Sequence, residues 1–349
     1  MQRVLGPSIV TCVFLALAGP ASAETVFFVD DSATGAADGS SWTDAFADLQ
    51  SALDAATSTP GSKVIRVAAG TYRPDVTGLV DPRDATFAMQ PDVAILGGYA
   101  GDPANPELRD VAAHASVLSG DIGVAGDPSD NCYHVVTAVT DPATAILDGF
   151  RIRDGRADGA FPENAGAGMI ILSESSAVVR NCTFRRNIAT EGGGAVRIIN
   201  SDPTFQDCAF VLNEAVTGGA VYVIAVSGGA SAPRLERCRF DRNMATGSDG
   251  GGVAGTDANT VLLECEFTDN VAGFRGGGVV ATRGEMNLVN CDFFGNFADV
   301  NAGGGAYGSA TTMSFVNCQF SGNKAIVIGG GIAAQSGTSL TITNTTLAG

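Results

Sequence analysis

The 349-residue chain carries 37 acidic against 20 basic residues, a net charge of −17, with 46 glycines and a 45 % apolar fraction. That charge argues against nucleic acid, which is held through Lys and Arg. It also argues against direct docking on acidic polysaccharide unless a divalent cation bridges the two. With only 16 % charged residues the chain is not of disordered composition, and glycine without a Gly-X-Y period points to repeated tight turns.

Residues 1–23 read as a signal peptide: Arg3, an apolar run over 9–18, then the small residues Ala21-Ser22-Ala23 before Glu24. The run is too short to span a bilayer, which takes about 20 residues, and Cys12 sits too early for a lipid attachment site. No later stretch is apolar enough to cross a membrane. The chain is therefore expected to be exported and soluble, extracellular or on the cell surface, and associated with an outer membrane only if a further segment anchors it.

Residues 24–62 read as an N-terminal cap of one strand and one helix. Trp42, Phe46, Leu49, Leu53 and Ala56 share one helical stripe over 42–56, which suits plugging the open end of a solenoid. Residues 63–165 read as irregular early coils, with β-rich runs at 64–67, 93–96, 116–118, 133–136 and 146–152. Gly70-Thr71-Tyr72-Arg73-Pro74 and Asp81-Pro82-Arg83-Asp84 read as loops between them.

From 166 to the end the chain repeats itself. Cys-x-Phe-x-x-Asn-x-Ala begins at Cys182, Cys208, Cys238, Cys265, Cys291 and Cys318, and a glycine cluster follows each copy. A seventh copy starts at Asn344-Thr345-Thr346-Leu347 and stops, so the sequence reads as a fragment or an interrupted gene product. Cys and Phe, two apart, share one face of a strand. An apolar residue three before each Cys (Val179, Phe205, Leu235, Leu262, Leu288, Phe315 and Ile342) has odd parity, so the strand must turn between them if all point inward.

A lone coil cannot bury its apolar face. Coils must stack about 4.8 Å apart, like over like. The fold class is therefore all-β: a right-handed parallel β-helix with an N-terminal capping helix. Phe184, Phe210, Phe240, Phe267, Phe293 and Phe320 become an internal aromatic column. The six cysteines become a thiol column, expected to be reduced, with disulfides as the alternative because parallel side chains fit the required torsion poorly. Asn187, Asn213, Asn243, Asn270, Asn296 and Asn323 form a ladder at a turn, each bonding its own backbone in left-handed geometry. Arg237, Arg239 and Arg242 fall opposite Glu264, Glu266 and Asp269 of the next coil, which predicts three register-locking ion pairs.

The Phe-x-x-Asn and Gly-Gly-[Ala/Val/Ile] units resemble the repeats of the chlamydial polymorphic outer membrane proteins. Several segments are similar to large secreted β-helix proteins of environmental bacteria in the broad pectin-lyase-like class. They are Phe28-Val29-Asp30, Asp38-Gly39-Ser40-Ser41-Trp42, Ala68-Ala69-Gly70-Thr71-Tyr72, Leu118-Ser119-Gly120-Asp121 and Leu147-Asp148-Gly149-Phe150. The resemblance implies the fold and, through the chlamydial proteins, surface display and adhesion. Polysaccharide lyases on this fold use a carboxylate cluster for Ca²⁺ with an Arg or Lys base, and hydrolases use two or three Asp.

Among the outward positions flanking the cysteines, the best such group is Arg239, Glu266 and Asp292, the candidate catalytic residues. No cofactor is required, and Ca²⁺ is the one those carboxylates admit. His114 and His134 lie in unrelated contexts, and the periodic glycines are not phosphate loops. The expected function is surface-associated or extracellular binding by a monomer, to an extended carbohydrate or a surface protein. The alternative is a polysaccharide lyase or glycoside hydrolase.

Overall fold

The computed structural model describes residues 24–139, 144–335 and 337–349. The expected signal peptide lies outside the described residues. Among the described residues the chain winds as a right-handed parallel β-helix of three sheets, with 18, 10 and 7 strands (sheets A, B and C). Every strand-to-strand pairing is parallel, joining each coil to the next. Each coil passes along A in two segments that fuse where Val253–Leu263 and Val279–Val289 run through, then along B, then along C.

The odd parity before each cysteine has a simple cause. A single left-handed residue turns the chain from sheet A into sheet B: Asn181, Asp207, Arg237, Glu264, Asn290, Asn317 and Asn344, with φ between 47° and 55°. A second turns it from B into C, at Arg186, Leu212, Arg242, Asp269, Gly295 and Gly322. The third corner is the glycine cluster. There Gly276 has φ 63°, and a Cβ on Gly277 would lie 2.5 Å from the Gly304 carbonyl of the next coil, so only glycine permits that approach.

The columns form as expected. The six phenylalanines stack with centroids 5.2 to 4.4 Å apart and ring planes within 9°. The column continues toward the N-terminus through Ile152, Leu118 and Tyr72. All six ladder cysteines and Cys132 are free and buried, and burial pushes the Cys132 and Cys182 thiols up to about 12.

The asparagine ladder departs from its expected chemistry. The left-handed residue is the one before it, and the carboxamide bonds neighbouring coils instead of its own backbone. Asn243 Nδ2 donates to the Phe210 carbonyl of the preceding coil (2.9 Å) and to Asn270 Oδ1 of the following one (2.9 Å). Its Oδ1 accepts from Asn213 N and Nδ2, both at 3.0 Å. Buried amides need partners, and stacking supplies them from identical residues one coil away.

The N-terminal region differs in detail. The helix α1 spans Leu49–Ser58, not 42–56, because Asp48 caps it by accepting from Ser51 N (2.7 Å). Leu49, Leu53 and Ala56 are on its buried face, joined by Ala52, and pack against β1 (Thr25–Val29) and β2 (Lys63–Ala68). Phe46 instead bridges to Val29 in extended backbone. Trp42 packs on Phe28 and Tyr99 and donates to the Pro106 carbonyl (3.0 Å). Gly70–Tyr72, expected as loop, is a strand of sheet B, and Pro82–Asp84 is a short 3₁₀ turn. The run at 133–136 becomes the strand Val136–Ala138. The run at 146–152 splits at Gly149 (φ 84°) into strands on two sheets.

Replacing Asn243 by Ala leaves Asn213 N without its acceptor and removes one bond each from Asn213 Nδ2, which keeps the Phe184 carbonyl, and from the Phe210 carbonyl. A loss of about 3 kcal/mol is expected, read as a drop in the unfolding midpoint. A change below about 1 kcal/mol would show that the ladder does not hold adjacent coils.

Candidate functional site

Arg239, Glu266 and Asp292 do come together as consecutive register partners on the outer face of sheet B. The Arg239 guanidinium lies 3.5 Å from Asp241 of its own coil, and Glu266 accepts from Thr268 Oγ1 (3.0 Å). Burial, with Glu266 one rung away adding to it, raises the Asp292 carboxyl above its ordinary range. Among the described residues no group of three His, Cys, Asp or Glu is arranged to hold a metal.

The three ion pairs expected to lock this register form differently, although the register itself is as expected. Arg237 takes Asp207 of the preceding coil in a two-bond pair (2.8 and 2.9 Å), and Arg242 takes Asp241 (2.9 Å). Asp207 holds the same corner position as Arg237 one coil earlier. Arg237 is thus flanked by carboxylates on both sides, and it closes on that one.

Arginine pairing is otherwise the rule. Among the described residues thirteen of seventeen arginines have a carboxylate within 4.0 Å. The exceptions are Arg151, Arg185, Arg186 and Arg197. Arg197 is buried with its guanidinium 4.2 Å over the Tyr222 ring, a cation–π contact.

The other three lie together. Arg151 and Arg153 stand on one rung of sheet B, and Arg185 stacks in register on Arg153 one coil later. Arg186 follows at the corner into sheet C, where Arg156 stands. These side chains line two neighbouring clefts of about 350 and 400 Å³ that share Arg153, Asp154 and Arg186. Thr183 lines one cleft. Asp121 and Asn131 line the other, and the buried Asn131 leaves its Oδ1 without a partner while its Nδ2 donates to the Asp154 carbonyl (2.7 Å). Five arginines face two aspartates here, in a chain whose net charge is −17.

Like charges stacked directly in a sheet are destabilising. Arg153 has Asp154 at 3.3 Å, whereas Arg185 above it and the neighbouring Arg151 and Arg186 have no carboxylate within 4.0 Å, so their donors suit an anion reached from solvent. Sequence reading missed this group because its first coil lacks the repeat letters. Ile152 and Gly155 stand where Phe184 and Asn187 stand in the next. The pairs Arg151-x-Arg153 and Arg185-Arg186 were the available signal, but their register was hidden.

A family model described as "Right handed beta helix region" matches residues 138–294. No curated protein sequence matches the chain. Three solved structures are similar to it. A "Rhamnogalacturonan lyase" is 11 % identical, with 85 % of this chain and 74 % of that one covered and a TM-score of 0.40. The A-module of the Azotobacter vinelandii mannuronan C-5 epimerase AlgE4 is 13 % identical, with 86 % and 90 % covered and a TM-score of 0.42. PfbA, a surface adhesin of Streptococcus pneumoniae, is 9 % identical, with 86 % and 88 % covered and a TM-score of 0.27.

If the Arg153–Arg185 stack is held at a cost to the fold, Arg185→Glu relieves it. The variant is expected to raise the thermal midpoint slightly, by about 0.3 kcal/mol of stability after solvent screening. A lowered midpoint would show that Arg185 serves the scaffold.

Proposed function

We propose that the chain is an exported binding scaffold that holds an acidic polysaccharide in the arginine-lined groove between sheets B and C. One observation carries this reading: three of the four arginines without a carboxylate partner converge on one solvent-open groove. The net negative charge does not forbid it, because exposed charges beyond about 8–10 Å are largely screened. A carboxylate or sulfate entering the groove meets the forked N–H donors of Arg151, Arg185 and Arg186, which no internal acid occupies. A rigid stacked sheet fixes the backbone spacing of those arginines, which suits adhesion to an extended ligand. No helix among the described residues is long and apolar enough to cross a membrane.

Polymer cleavage is the second reading, and Asp154 favours it. Its side chain lies 3.3 Å from the Arg153 guanidinium and lines both clefts, so an acid–base group sits where the ligand would bind.

The test is binding of the mature protein to polygalacturonate, alginate and neutral dextran at two salt concentrations. Salt-sensitive binding to the acidic polymers, absent for dextran and weakened about tenfold or more in Arg185→Ala/Arg186→Ala, is the expected result. No affinity for either acidic polymer, or affinity indifferent to the double substitution, would overturn the reading. New reducing ends or unsaturated uronate absorbance, lost in Asp154→Asn, would establish the second reading in its place.

A further inference from the structure

Resting on the polysaccharide reading above, we infer that the acidic chain crosses the coils instead of following the solenoid axis. The shape of the cationic strip is the reason. Along the axis it is two rungs deep, Arg153 and Arg185 being register partners about 4.8 Å apart. Around the coil it runs from Arg151 on sheet B, past the Asp154 and Arg186 corner, to Arg156 on sheet C. Those five steps of chain reach at most about 17 Å. The strip thus extends along five steps of chain and past a corner across the coils, against a single rung-to-rung step along the axis.

The residues at its edges sharpen the direction. Along the axis the strip stops at uncharged side chains on both sides. Val117 and Ser119 are the register partners of Arg151 and Arg153 one coil earlier, and Ala209 and Val211 those of Thr183 and Arg185 one coil later. Beyond Ala209 the column turns to Arg239, drawn toward Asp241, then to the carboxylates Glu266 and Asp292. A polyanion laid along the axis would leave the free guanidinia after two rungs and meet like charge. One laid across the coils meets the open Arg151, Arg185 and Arg186 together, with Arg153 and Arg156 beside them carrying Asp154 and Asp158.

The site therefore reads a short run of closely spaced acidic groups, with the polymer entering and leaving past the edges of the coil. Purified mature protein with oligogalacturonate as the probe separates the two directions. Arg151→Ala and Arg156→Ala shorten the strip across the coils. Thr71→Trp and Thr268→Trp place neutral bulk on the axial line, two rungs before Arg151 and three rungs after Arg185. The expected result is an affinity loss of about tenfold for either arginine variant, with both tryptophan variants within about twofold of the parent protein. Loss in the tryptophan variants equal to that in the arginine variants would overturn the crossing direction while leaving the groove as the binding site. Absence of oligogalacturonate binding by the parent protein would overturn both.

Discussion

In-register stacking of parallel coils through their asparagine carboxamides is the constraint on which the rest of this molecule depends. Each ladder carboxamide is buried; from Asn187 to Asn296 each is satisfied by the coils above and below instead of by its own, and Asn323 by the coil before it. A one-residue slip would leave several buried donors and acceptors unpartnered, each at a cost of about 1–3 kcal/mol. It would also turn every inward phenylalanine outward. The ladder therefore fixes the register, and the register fixes what lies beside what on the surface.

That second consequence is where function enters. Residues about one coil apart in sequence become neighbours about 4.8 Å apart in space. Most of the charged surface uses this adjacency conservatively: Asp207 with Arg237, Asp249 with Arg275 and Asp257 with Arg283 are acid–base pairs across adjacent coils. Arg153 over Arg185 breaks the pattern. Arg153 keeps Asp154 beside it, but Arg185, with Arg151 and Arg186, has no carboxylate in a scaffold that places one against nearly every other guanidinium, and such departures from local consistency are expected at functional sites.

The regular half of the fold was legible because the repeat letters carry their own physics. Phe two after Cys fixes a strand face, and an odd spacing before Cys fixes a corner, which proved to be a single left-handed residue. The legible part ended where the letters change. Ile152 and Gly155 keep the geometry of the Phe and Asn positions without their identity, so the coil holding Arg151 and Arg153 could not be aligned from sequence. Trp42 and Phe46 matched a helical stripe by spacing alone, but the Asp48 cap starts the helix later and sends both rings to other partners. Arg239, Glu266 and Asp292 were correctly placed in one column. What the sequence could not show was that Arg239 lies against its own Asp241 while Arg185 and Arg186 have no acid at all.

The central claim is that missing partners, not basic charge in general, mark the binding site. The most direct measurement compares two triple variants of equal charge change for affinity to polygalacturonate. One removes the unpaired Arg151, Arg185 and Arg186, and the other removes the paired Arg237, Arg242 and Arg283, all to Ala. The account predicts that affinity collapses in the first and stays close to the parent protein in the second. Equal loss in both would contradict it, because overall charge would then govern binding and the groove would hold no special place.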